Sequence, residues 1–212
     1  SGAGMVTEVD IVNRALSMLG EKRITALTDD NKQGRAMNAR YTFLRDSELS
    51  AYPWRFAIRR VKLYASGASP DWGFSTVYAL PNDNLRIIEI GGDGVNASTV
   101  GVMYESTGFG SDGRSAYEVV EGELHINDSG PLQYEYISRV TDPEQFDALF
   151  VEALAARIAA DAAEELTQSD NKKRYAMAVY DETVRVARRS DALRRPPRRH
   201  AAGTWHRSRI HV

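Results

Sequence analysis

The apolar residues of this 212-residue chain keep a helical period near both ends and lose it for roughly eighty residues between, where short β-rich runs take over. Val9, Val12, Leu16 and Leu19 recur at helical spacing behind Thr7, whose side-chain oxygen can cap a helix, and Gly20 supplies a stop. This predicts a first helix over 7–19. Asp30 with Gln33 three residues later resembles a capping box, and Met37, Tyr41 and Leu44, with Phe43 beside them, form the stripe of a second helix that Pro53 ends. From Trp54 the period changes, through Phe56, Ile58, Val61 and Leu63. Turn signals at Pro81-Asn82-Asp83-Asn84, Gly91-Gly92-Asp93-Gly94 and Asp112-Gly113 then separate strand-like runs at 76–80, 85–90, 99–105, 117–120, 123–126 and 132–137.

Helical signals return abruptly. Asp142-Pro143-Glu144-Gln145 reads as a cap, a first-turn proline and a back-reaching glutamine, opening a helix with Phe146, Leu149, Phe150, Ala153, Ala156, Ala160 and Ala163 on one face. Ser169 or Asp170 caps a fourth, carrying Ala176, Val179, Tyr180, Thr183 and Val184, and Pro196-Pro197 forbids its continuation. None of these helices is stable alone, so their stripes must bury one another. The fold class expected is α+β: an antiparallel four-helix bundle formed by both chain ends, a β-rich insertion that is a small antiparallel sheet or barrel, and an extended C-terminal tail. The corresponding segments are 5–53 and 142–192 for the bundle halves, 54–141 for the insertion and 193–212 for the tail.

Charge divides the chain as sharply as periodicity does. From Arg188 onward there are eight arginines against the single Asp191, a formal +7, while the preceding residues hold 19 basic against 28 acidic side chains, a formal −9. The net −2 conceals an acidic body with a basic tail. Cysteine is absent, which excludes disulfides, thiol catalysis and cysteine metal sites. The most apolar window, 146–163, is broken by Glu152, Arg157 and Asp161 and cannot cross a bilayer, and the N-terminus lacks the apolar run of a signal peptide. Synthesis and assembly in the cytoplasm are expected, and Ser1-Gly2-Ala3-Gly4 before Met5 reads as an expression scar.

Several motifs invite chemistry. Gly108-Phe109-Gly110-Ser111-Asp112-Gly113 spells a dinucleotide fingerprint, but it lies between strand-like runs with no helix behind it, and so reads as a hairpin loop. His125, His200, His206 and His211 make no zinc spacing. Glu118, Glu121 and Glu123 offer paired carboxylates on an exposed strand face with no sign of a cleft. Asn96-Ala97-Ser98 and Asn127-Asp128-Ser129 match glycosylation sites only by coincidence. Trp54 and Phe56 read as core where helices and insertion join. Arg194-Arg195-Pro196-Pro197-Arg198-Arg199 carries more: prolines hold it extended, and each guanidinium can grip a carboxylate or phosphate with two bonds.

The order and spacing of these segments resemble a known family. Asp10-Ile11-Val12-Asn13-Arg14-Ala15-Leu16, Leu19-Gly20, Ile24-Thr25-Ala26-Leu27, Arg45-Asp46 and Pro53-Trp54-Arg55-Phe56-Ala57 are similar to the N-terminal half of tail tubular protein A-like head-to-tail adaptors of short-tailed bacteriophages. Tyr78-Ala79-Leu80-Pro81, and Tyr136-Ile137 through Asp142-Pro143 to Phe146, continue the likeness. The resemblance implies a non-enzymatic virion protein without cofactors. It would form a ring of about twelve copies, a closed heterologous assembly, under the portal protein. The ring would extend the channel for double-stranded DNA and seat the tail nozzle protein at the head-tail junction. It also implies that the tail grips the portal, which makes Arg194, Arg195, Arg198, Arg199, Trp205, Arg207 and Arg209 the portal-contact candidates. The alternative is a nucleic-acid-binding protein whose arginine-rich tail holds phosphates without sequence preference. An enzyme acting on cell-wall polysaccharide through Glu118, Glu121 and Glu123 ranks last.

Overall fold

The computed structural model describes residues 6–70, 72–92, 117–127 and 130–194. Helix α1 (Glu8–Met18) begins at a reciprocal cap: the Thr7 hydroxyl accepts the Asp10 N–H at 3.2 Å, and the Asp10 carboxylate accepts the Thr7 N–H at 3.0 Å. Helix α2 (Lys32–Ala51) starts one residue later than the Asp30 signal suggests. Asn31 is its cap, accepting the Gly34 N–H at 2.7 Å, while Asp30 pairs with Arg35 and Gln33 reaches Glu21 instead. Position 34 must be glycine because a Cβ there would sit 2.2 Å from the Asp29 carbonyl oxygen.

Among the described residues six strands follow: β1 (Ile58–Leu63), β2 (Thr76–Ala79), β3 (Asn84–Gly92), β4 (Tyr117–Val120), β5 (Glu123–Ile126) and β6 (Leu132–Ser138). They form two three-stranded antiparallel sheets, β1-β6-β3 and β2-β5-β4. The run expected at 99–105 and the glycine-rich loop at 108–113 lie outside the described residues. Asp142 does cap, but what it caps is a single 3-10 turn, Pro143–Gln145. The chain extends at Phe146, which buries itself among Phe56 and Phe150, and α3 (Ala148–Thr167) opens at a second cap, Asp147. Gln168 in the left-handed region turns the chain into α4 (Asp170–Leu193), capped by Ser169.

The expected four-helix bundle built from both chain ends does not form. Helix α3 is the hub: α1, α2 and α4 each pack against it, and α1 and α2 barely touch each other. The reason is in the side chains. Ala153, Ala155, Ala156, Ala159, Ala162 and Ala163 of α3 are all fully buried, so backbones approach it on several sides at once, whereas α4 buries only Ala176, Val184 and Ala187. The insertion also differs from a single small sheet or barrel. Its first sheet leans on the helices, with Ile137 in one core beside Trp54, Phe150 and Leu154. Leu63, Ile90, Leu132, Tyr134 and Tyr136 face the second sheet's Tyr78, Leu124 and Ile126 in another. The described residues form a mixed α+β fold with two hydrophobic cores. Each large side chain fully buried in them contributes about 1.5–3 kcal/mol.

Candidate assembly interface and the buried charge clasp

Of the portal-contact candidates, Arg194 falls within the described residues; Arg195, Arg198, Arg199, Trp205, Arg207 and Arg209 lie outside them. Arg194 ends α4 and is already engaged. Its guanidinium donates to Asp147 at 2.8 Å, and its carbonyl accepts from Arg55 at 3.0 Å. The Arg55 N–H in turn donates to Asp191 at 3.1 Å. The root of the tail is thereby tied to the start of α3 and to the 3-10 turn Arg55–Ala57. Arg194 is exposed and Asp147 half-buried, so their pair is open to water, contributes less than about 1 kcal/mol and orients more than it stabilises.

Behind this root sits a cluster the sequence reading missed. Glu48 of α2 is fully buried, yet its carboxylate accepts from Arg157 of α3 at 2.6 Å and from the Tyr180 hydroxyl of α4 at 2.8 Å. Arg188 of α4 approaches the other carboxylate oxygen at 3.5 Å. Arg157 also donates to the Ser47 hydroxyl at 3.0 Å, and the Trp54 indole donates to the Glu48 carbonyl at 3.0 Å. Burial raises the Tyr180 pKa, and the Glu48 charge raises it further. Burial works against the charge on Arg157, but its hydrogen bond and Coulomb attraction to Glu48 outweigh that, and its pKa is raised. The arrangement ties α2, α3 and α4 together within about four turns of the end of α4. One signal was present in the sequence. Tyr41, Leu44 and Glu48 share a helical face, so a carboxylate stood on an apolar stripe while Arg157 interrupted the most apolar helix.

The remaining candidates do not converge. Glu118 and Glu123 lie on the exposed β4-β5 hairpin, and Glu121 occupies its two-residue turn with φ +52°, followed by Gly122 at +83°. His125 faces Glu123 at 3.8 Å. A cavity of about 690 Å³ opens instead over the other sheet, lined by Arg60, Lys62, Glu89, Gln133, Tyr134 and Glu135 among others, with Arg60 paired to Glu135 at 2.9 Å. Trp54 is buried, and with Phe56, Phe146 and Phe150 it forms an aromatic cluster at centroid separations from 5.0 to 6.3 Å. His200, His206, His211 and Asn96 lie outside the described residues. Among the described residues no three His, Cys, Asp or Glu side chains gather as a metal site, and no helix is long and apolar enough to cross a membrane. Large apolar side chains do reach the surface, including Phe43 of α2 and Tyr175, Met177, Val186 and Leu193 of α4. No family model and no curated protein matches the chain.

Proposed function

We propose that this protein is a structural head-to-tail adaptor of a bacteriophage virion, acting by assembly and carrying out no catalysis. The observation that carries the reading is the tied root of the tail. Arg194 is held by Asp147 and Arg55, so an arginine-rich segment leaves an acidic body from a fixed point. A segment of that composition is suited to an acidic groove on another protein, where each guanidinium can hold a carboxylate with two bonds. The partner proposed is the portal protein, with the body closing into a ring of about twelve copies through heterologous contacts. The ring would extend the DNA channel and seat the nozzle protein. A body of formal charge −9 lining that channel would repel passing DNA and keep it from sticking.

Light scattering of the full chain, alone and with the portal protein of the same phage, tests this. A ring-sized complex should form only with the portal. A chain ending at Arg194 should keep its circular dichroism and lose portal binding. Equal binding by the shortened chain would remove the tail from the contact. Duplex DNA binding that falls steeply with salt, in the absence of any portal complex, would favour the nucleic-acid reading instead.

A further inference from the structure

Helix α4 has two apolar faces, and α3 covers one of them. Ala176, Val184 and Ala187 are buried against α3. Along an adjacent flank run Tyr175, Val179, Glu182, Val186, Arg189 and Leu193, spaced 4-3-4-3-4, which is the spacing of a coiled-coil seam. Tyr175 is 59% exposed, Val186 40% and Leu193 78%. The residues beside the seam are mostly small, with Ala178 and Ala192 exposed and Thr183 and Ser190 half-buried, so another helix can come close. The seam is about 27 Å long at 1.5 Å per residue.

Its charges select the partner and the orientation. Glu182 and Arg189 stand one heptad step apart on the same flank, and Arg185 flanks Glu182 and already pairs with it at 2.7 Å. Arg189 has no ion pair among the described residues. In a parallel pair of such helices, Glu182 would meet Glu182 and Arg189 would meet Arg189. In an antiparallel pair, Tyr175 lies opposite Leu193 of the second copy and Val179 opposite its Arg189. Glu182 then falls between Arg185 and Arg189 of that copy. The seam is therefore self-complementary in one orientation alone.

We propose that the free flank of α4 pairs antiparallel with the same flank of a second copy, making a two-fold dimer of the free protein. This pairing needs no portal and stands or falls independently of the ring.

Sedimentation of the full chain across the micromolar range should give a species of twice the 23.6 kDa chain mass. Val186→Glu and Leu193→Glu change exposed positions, so each should keep the wild-type circular dichroism and sediment as a single chain. Arg189→Glu should weaken the dimer about tenfold by setting like charges together, and the exchange Glu182→Arg with Arg189→Glu should recover part of that loss, since positions 182 and 189 again carry opposite charges while Arg185 still faces position 182. The chain has no cysteine, so single cysteines report geometry directly. Tyr175→Cys mixed with Leu193→Cys should form a disulfide across the pair, and neither should form one with itself. A single-chain mass at every concentration, a dimer untouched by both glutamates, or self-linking of Tyr175→Cys would overturn the proposal.

Discussion

A carboxylate shut away from water must be neutralised by its neighbours, and Glu48 draws on three of them from two other helices. Replacing it with alanine leaves Arg157 and Arg188 without their counter-charge, which costs about 3 kcal/mol when a buried pair loses one member. Glu48→Ala should lower the unfolding free energy obtained from a urea titration by that much, through a lower midpoint with an unchanged slope. Arg157 and Arg188 are themselves 28% and 37% exposed, so a cost below about 1 kcal/mol would mean that water replaces the carboxylate at both and that the clasp is dispensable. Asp10 offers a gentler case. Hydrogen bonds from the Thr7 hydroxyl and backbone hold its carboxyl below the usual carboxylate range. With the folded pKa below the unfolded one, its contribution is present above the ordinary carboxylate range and fades as pH falls through the lowered value. An NMR titration of Asp10 should show its midpoint rise in Thr7→Ala, and the same midpoint in both proteins would detach the cap from the shift.

At the scale of elements, β6 is the piece shared by both cores. Ile137 serves the helical core, while Leu132, Tyr134 and Tyr136 serve the sheet core, and β1 and β3 flank the strand on either side. Its backbone amides should be among the slowest in the molecule to exchange with deuterated water, slower than those of β1 at the sheet edge. Equal rates for the two strands would contradict this. Elements of this kind differ in how far the sequence discloses them. The caps of α1 and α4 are legible because a cap is local, one side chain reaching a backbone N–H three residues on. The start of α3 is not. Asp142 and Pro143 satisfy the same local rule over a single 3-10 turn, and the pull of Phe146 into the aromatic cluster, a long-range contact, decides that the helix waits for Asp147. The near miss at α2 has the same character, since Asp30 and Asn31 can both cap and only the tight approach of Gly34 to Asp29 separates them.

For the whole molecule, periodicity reveals that a helix carries an apolar stripe and leaves the partner of that stripe undetermined. Four striped helices suggest a bundle. The alanines that surround α3 place it at the centre of three neighbours instead, and α4 packs mainly on α3 while reaching α2 through the Tyr180 and Arg188 contacts to Glu48. Composition discloses the arginines that follow Arg188, whereas the clasp on Glu48 depends on residues more than a hundred positions apart and its pairing follows from no local rule. Dependence on α3 also sets an order of events during synthesis. A ribosome releases α1 and α2 long before residues 148–167 emerge, and until then both must keep their greasy sides without a lasting partner, so the helices cannot close around their hub until the whole strand-rich insertion has been made.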